Sequence, residues 1–346
     1  MRSLLVVIAL VLAGAIPGAR LRLAASAGQA RVHMVASAGQ ARVHMVASAG
    51  QARVRLATSP GQAQVREPEA RTLSGKPLYP PDPIPNRAKL EEDLARALSV
   101  TTTAQPEAMI TIGRRHAYLW RYREAIDWFT KGIAKYPNDA RMYRHRGHRY
   151  ITTRQFGKAR ADLERAASLI RGTADQVEPD GAPNPSGIPR STLHFNVWYH
   201  LGLTYYLQGD FTKALEAYRS CLAVSNNDDA VVATSDWLWM TLMRLGRKDD
   251  AARVLERIMP KMDILENASY HRRLLMYKGL EKPEALLDPA GADATTIATQ
   301  GYGVGNSHLV TGDQARARTV FEQVTAGAGW NAFGYIAAEA DLARMK

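Results

Sequence analysis

Arg141, Arg144, His145, Arg146 and His148 fall within eight consecutive residues, and residues 106–171 as a whole hold fifteen Lys and Arg against six Asp and Glu. Guanidinium forks grip oxyanions through two parallel hydrogen bonds, so this composition suits an acidic peptide, a C-terminal carboxylate or a phosphorylated group. His145 and His148, three apart, could share a metal with His116, but two histidines at that spacing are a weak ligand set and His116 stands at a core aromatic position. No metal or other cofactor is therefore assigned. Cys221, the lone cysteine, excludes an intrachain disulfide and reads as a packed thiol. Gly301-Tyr302-Gly303-Val304-Gly305 has a G-x-G pattern without the preceding strand that a dinucleotide site needs, and is read as a close-packed helix. The chain has no Walker A sequence, no G-x-S-x-G elbow and no H-E-x-x-H. It is expected not to be an enzyme.

The elements that must position these residues follow a period of about thirty-four. Gly113, Ala125, Phe129, Gly132 and Pro137 are spaced by 12, 4, 3 and 5, and Gly147, Ala159, Leu163 and Ala166 repeat the first three intervals. Trp198, Leu201, Gly202, Tyr205, Ala214, Tyr218 and Cys221 give a third copy, and Gly305, Ala317, Phe321 and Val324 the last. Period and residue types resemble the tetratricopeptide repeat, a helix-turn-helix unit. The resemblance implies an all-α fold: an α-solenoid of about six such repeats over 106–346, the fifth degenerate, with capping helices at 86–105 and 331–346. The turn-rich insert 172–192 is expected to be a loop on one edge.

In that family the first helix of each repeat lines a concave groove that holds proteins or peptides. The resemblance therefore implies a groove surface of Arg114, Tyr118, Arg141, Arg144, His145 and His148, continued by Asn196, Tyr199, His200, Leu203 and Tyr206. It is similar to the carboxylate clamp of chaperone-binding members, without the asparagines expected beside the cations in repeats one and two. Arg146 occupies a position where the repeat usually buries leucine. A buried guanidinium needs a carboxylate, for which Glu178, Asp180, Glu124 and Asp127 are the candidates.

Ahead of the repeats, Met1–Ala19 has a basic residue, a short apolar run and small residues, the parts of a secretory signal peptide; no cysteine follows Leu12-Ala13-Gly14, so lipid anchoring there is excluded. Periplasmic or secreted localisation is expected. Residues 20–66 carry near-identical eleven-residue copies around Gly28, Gly39, Gly50 and Gly61, expected to form a disordered cationic tail. Residues 67–85, with LYPPDPIP, read as an extended linker. The formal charge of +12 owes much to eight arginines before Glu67, where there is no acid; the rest has 37 basic and 33 acidic residues. So balanced a body argues against nucleic-acid binding. Two further readings remain open, a small-anion or metal-dependent ligand site or enzyme in the basic groove, and an envelope scaffold whose tail touches anionic membrane surface.

Overall fold

A computed structural model describes residues 67–99, 105–179, 184–288 and 290–345, together with the backbone of four strands before residue 60. The signal-like segment and Asp180 lie outside the described residues. The chain divides into two units at Arg66 and Glu67. In the first, where the sequence leads one to expect disorder, β1 (Ala19–Ser26), β2 (Gln29–Ala36), β3 (Ala41–Ser48) and β4 (Gln51–Thr58) form an antiparallel meander. The register aligns Arg22, His33, His44 and Arg55 in one row and Leu21, Met34, Val43 and Leu56 in the next. Each copy alternates basic and apolar residues at period two, the strand period.

The second unit has fourteen helices among its described residues. Helix α1 (Arg87–Ser99) buries Leu94 against Ile112 and Leu119, as a cap should. Hairpins follow: α2 (Pro106–Tyr118) with α3 (Tyr122–Lys135), α4 (Ala140–Thr152) with α5 (Phe156–Leu169), α6 (Leu193–Gln208) with α7 (Phe211–Val224), and α8 (Asp228–Arg244) with α9 (Lys248–Glu256). Then come α10 (Ala268–Tyr277) with the short α11 (Pro283–Leu287), α12 (Ala294–Val310) with α13 (Gln314–Ala326), and α14 (Phe333–Arg344). Side chains of Asp139, Thr192, Asp210, Asn227, Asp293 and Asp313 accept from the first-turn amides of six of these helices, satisfying donors that helix ends leave open.

One contact sets the hairpin. A Cβ on Gly113 would stand 2.6 Å from the Phe129 ring, on Gly147 2.8 Å from Leu163, on Gly202 2.7 Å from Tyr218 and on Gly305 2.5 Å from Phe321. In every case the large residue is sixteen positions on, which is why the sequence repeats this pair. Gly303 likewise makes room for the fully buried Arg273, whose Nη2 lies 3.0 Å from Asp236. Glycine in Gly301–Gly305 is thus a packing requirement.

The turns between paired helices need a left-handed residue. Later repeats supply Gly209, Gly246, Gly279 and Gly312, whereas the first two use Trp120 at φ 60° and Arg154 at φ 61°. Bulky residues in this region are strained by about 1–3 kcal/mol and stay there only when their surroundings hold them. Both are held by the C-terminal segment. The Trp120 ring stands edge-on to Trp330 at 5.1 Å, and Arg154 donates to Glu339 Oε2 at 2.9 and 3.1 Å and to the Trp330 carbonyl at 2.8 Å.

Residues 331–346 are therefore not an end cap. Helix α14 turns back into the coil of repeats: Gly334 meets the backbone at Ala298, Asp341 accepts from Tyr302 and Arg244, and residues 334–341 are buried on all sides. The 67–85 stretch is extended but docked. Glu69 Oε2 accepts from the amides of Tyr122 and Arg123 at 2.9 and 3.3 Å, capping α3 from a distance. β5 (Ala70–Arg71) and β6 (Pro77–Leu78) pair beside it, Leu73 N donates to Glu339, and the Tyr79 carbonyl accepts from Trp330 Nε1.

Glu339→Ala should leave Arg154 buried without a counter-charge, a loss of about 3–5 kcal/mol. Urea unfolding measures it, with Glu322→Ala, an exposed acid, expected within roughly 0.5 kcal/mol of the parent.

Candidate functional site

The concave face of α2, α4 and α6 holds two adjoining cavities of about 190 and 260 Å3, which share Arg144, His148 and Ser191 as lining. On α4 the residues that reach this face are Arg144, His145, His148 and Arg149, at the three- and four-residue steps that put side chains over one another. Arg114 and Tyr118 on α2 are four apart, as are Asn196 and His200 on α6, with Tyr199 between them.

The insert roofs the first cavity. Val177 pairs with Thr192 in an antiparallel bridge, and the amides of Glu178 and Leu193 donate to the carbonyls of Ser191 and Gln176 at 3.0 and 2.9 Å. This turns Glu178 inward, where its Oε2 lies 2.7 Å from both Arg144 Nη2 and Asn196 Nδ2. Arg114 Nη1 donates to the Pro179 carbonyl at 2.5 Å. Further along the insert, Arg190 is anchored by Asp263 at 2.5 Å and Asp229 at 3.4 Å. Burial raises the Glu178 carboxyl and lowers the Arg144 guanidinium, and their mutual attraction opposes both shifts.

Arg149 is differently placed. Its guanidinium lies 5.7 Å from the centre of the Tyr122 ring, and among the described residues its side chain has neither a hydrogen bond nor a carboxylate. Burial pushes it down to about 10; attraction to Tyr122 and Tyr118 opposes that shift, and smaller repulsions from Arg144 and Arg114 add to it. The histidines are buried and neutral. His145 Nδ1 accepts from Arg144 Nη1 at 2.9 Å and its ring stacks on Phe129; His200 Nδ1 donates to the Asn196 carbonyl at 2.6 Å. His148 packs 4.4 Å from the His200 ring and 5.2 Å from Phe333, and its Nδ1 is buried without a partner.

The structure thus gathers Arg114, Tyr118, Arg144, His145, His148, Tyr199 and His200 as expected, and relocates others. Arg141 is not in this groove: Asp139 at 2.6 Å and Glu107 at 2.9 Å hold it at the edge. Tyr206 and Leu203 are wholly buried, Tyr206 bonding Asn306 at 3.1 Å and Tyr302 at 2.8 Å where α14 fills the interior. Arg146 pairs with Asp162 at 2.7 and 2.8 Å and with Thr130, rather than with Glu178, Glu124 or Asp127. Both partners are sixteen residues away, the hairpin spacing. The insert does fold over the groove, but through Arg144, two positions earlier. Arg149 and Phe333 were missed. Arg149 lies four residues beyond His145, so helical spacing alone could have found it; nothing local to Phe333 places it there.

Among the described residues, no group of three or more His, Cys, Asp or Glu is placed to hold a metal ion. Cys221 is fully buried 3.1 Å from Thr234 Oγ1, and burial pushes its thiol up to about 12, so it is a packing residue. Among the described residues no helix is long and apolar enough to cross a membrane.

Residues 195–228, α6 with α7, match the tetratricopeptide repeat. No curated protein matches the chain significantly in sequence. Among solved structures, YrrB, described as a TPR protein with an unusual peptide-binding site, is similar at 13% identity and a TM-score of 0.37, over 73% of this chain and 98% of that one. A tetratricopeptide repeat protein from Parabacteroides merdae gives 16%, 0.40, 74% and 91%, and the APC/C hetero-tetramer Cut9-Hcn1 14%, 0.45, 70% and 43%.

Burial, reinforced by Arg144 and Arg149, holds His145, His148 and His200 well below the ordinary imidazole range. Below about pH 6.5 the unfolded chain binds protons that the folded one does not. Stability should be full above that pH and fall as pH drops, with a limiting slope of roughly 4 kcal/mol per pH unit for three protons. Urea midpoints between pH 7 and 5 test this, and His148→Gln should remove one proton from the slope.

Proposed function

We propose that this tetratricopeptide-repeat chain is an exported, non-enzymatic scaffold that holds an acidic protein or peptide segment in the groove of its first three repeats. The signal-like pattern of Met1–Ala19 supports the export. One observation carries the rest: the chain lays a short extended piece of itself, Gln176–Pro179, along the cationic wall. Its glutamate bonds Arg144 and Asn196 and its proline carbonyl takes Arg114. A segment from another protein would use the same chemistry, namely carboxylates on guanidiniums and main-chain carbonyls on Arg114. Tyr118, Tyr199 and Phe333 offer aromatic surface for neighbouring apolar side chains.

The test is fluorescence anisotropy of a labelled octapeptide rich in Glu and Asp, with a Lys-rich octapeptide as control. Saturable binding of the acidic peptide that weakens with salt is expected, because much of the attraction is between charges. Arg114→Glu should weaken it tenfold or more, equivalent to about 1.4 kcal/mol, with unchanged helical circular dichroism. Arg114 is the right position because it is half-exposed and, among the described residues, has no carboxylate partner, whereas Arg144 is sealed against Glu178. Absence of saturable binding, or equal binding by the Arg114→Glu variant, refutes the proposal.

A further inference from the structure

The smaller cavity is lined by three guanidiniums, Arg114, Arg144 and Arg149, and by one carboxylate, Glu178. That carboxylate is committed to Arg144 and to the Asn196 amide. Among the described residues Arg114 has only neutral partners, the Pro179 carbonyl at 2.5 Å and the Tyr118 hydroxyl at 3.3 Å. Arg149 has an aromatic face and nothing else among the described residues. Three further polar atoms at the cavity, Arg144 Nε, Glu178 Oε1 and His148 Nδ1, are buried without a hydrogen-bond partner. Two positive charges in excess, beside an Arg144 Nε donor already stripped of water, are costly to the fold. The matching ligand is a dianion with several acceptor oxygens.

From this geometry we infer that the cavity between Arg114 and Arg149 is a binding site for a dianionic phosphoryl group. The inference rests on the same groove as the peptide reading and names the group that anchors there. A phosphoryl group carries about −1.5 to −2 charges at neutral pH and three oxygens, enough to answer both uncompensated guanidiniums. A single carboxylate would answer one. The volume of about 190 Å3 accommodates the group. Tyr118 and the exposed Pro179 stand on the insert side, where a chain carrying the phosphoryl group would continue.

The source, free or peptide-borne, is decided by the experiment. The full chain is titrated calorimetrically with inorganic phosphate, with acetate at matched ionic strength, and with one serine-containing acidic octapeptide in phosphorylated and unphosphorylated forms. Phosphate should bind saturably and acetate should not. Arg149→Met and Arg114→Met should each lower phosphate affinity at least tenfold, whereas Arg141→Met, whose partners lie outside the cavity, should leave it unchanged. Because Arg149 is an unanswered buried cation, Arg149→Met should also unfold at a higher temperature than the parent when no phosphate is present. Phosphate binding no better than acetate, or undiminished binding by Arg149→Met, overturns the inference. Phosphate binding with no affinity for either peptide sinks the scaffold reading alone. Equal affinity for the two peptides, with no binding of phosphate, sinks the phosphoryl site alone.

Discussion

The close approach of two helices at a glycine governs the second unit. Gly113, Gly147, Gly202 and Gly305 each leave space for a side chain sixteen residues later, and that side chain fills it completely. A methyl group there would have to displace a ring or a leucine already locked by its neighbours, so the pair fixes both the distance and the rotation of the helices. Rotation matters for the groove. Once Gly113 faces Phe129, Arg114 and Tyr118 lie on the concave side; once Gly147 faces Leu163, so do Arg144, His148 and Arg149. The packing contact and the cationic surface are two faces of one helix: Gly113 and Arg114 are adjacent in sequence, as are Gly147 and His148, and one residue turns the helix by more than a quarter of a turn.

That geometry alone makes an open coil, and the C-terminal segment changes it. Trp330 and Glu339 engage Trp120 and Arg154, residues that take the left-handed turn conformation without being glycine. Strain at those two turns persists because the returning helix over-determines them. The same return brings Phe333 against His148 and His200. The Phe333 ring covers both imidazoles, adding to the burial that holds them neutral. Closure and electrostatics are thus one feature seen at two scales.

The parts legible in the sequence were those set by contacts within one hairpin. The glycine spacing exposed the repeats, and the resemblance that the repeats carry implied a groove lined by Arg114, Arg144, His148 and His200. Arg146 was misassigned although the answer lay in the same arithmetic: Asp162 and Thr130 are its neighbours at sixteen residues in either direction. Contacts between distant segments left little local trace. Nothing in Gly334 announces that it will press on Ala298, and nothing in Glu69 that it will cap α3. Tyr206 had the right helical phase for the groove, but α14 had already taken the space. The eleven-residue copies read as a disordered tail from their glycines and lack of bulk, while their alternation of basic and apolar residues fits the strand period.

A fold that leaves two partly buried guanidiniums, Arg114 and Arg149, without counter-charges among the described residues, while Glu178 serves a third, is not arranged for its own stability. Nearby carboxylates are plentiful, since Glu107, Asp139 and Asp162 all lie on the same two repeats, yet each is committed elsewhere, to Arg141 or Arg146. Arg141 at the groove edge and Arg146 in the hairpin interface thus meet carboxylates, whereas among the described residues Arg114 and Arg149 at the cavity do not. In a water-poor cavity an unanswered guanidinium attracts an oxyanion more strongly than it would at the surface, because neither screening ions nor solvent dipoles compete. The insert sharpens the contrast: it brings one acid, enough to orient Arg144 through a 2.7 Å contact, and leaves Arg149 free. On the phosphoryl-site proposal, the stability forgone at these unpaired cations is the source of the affinity.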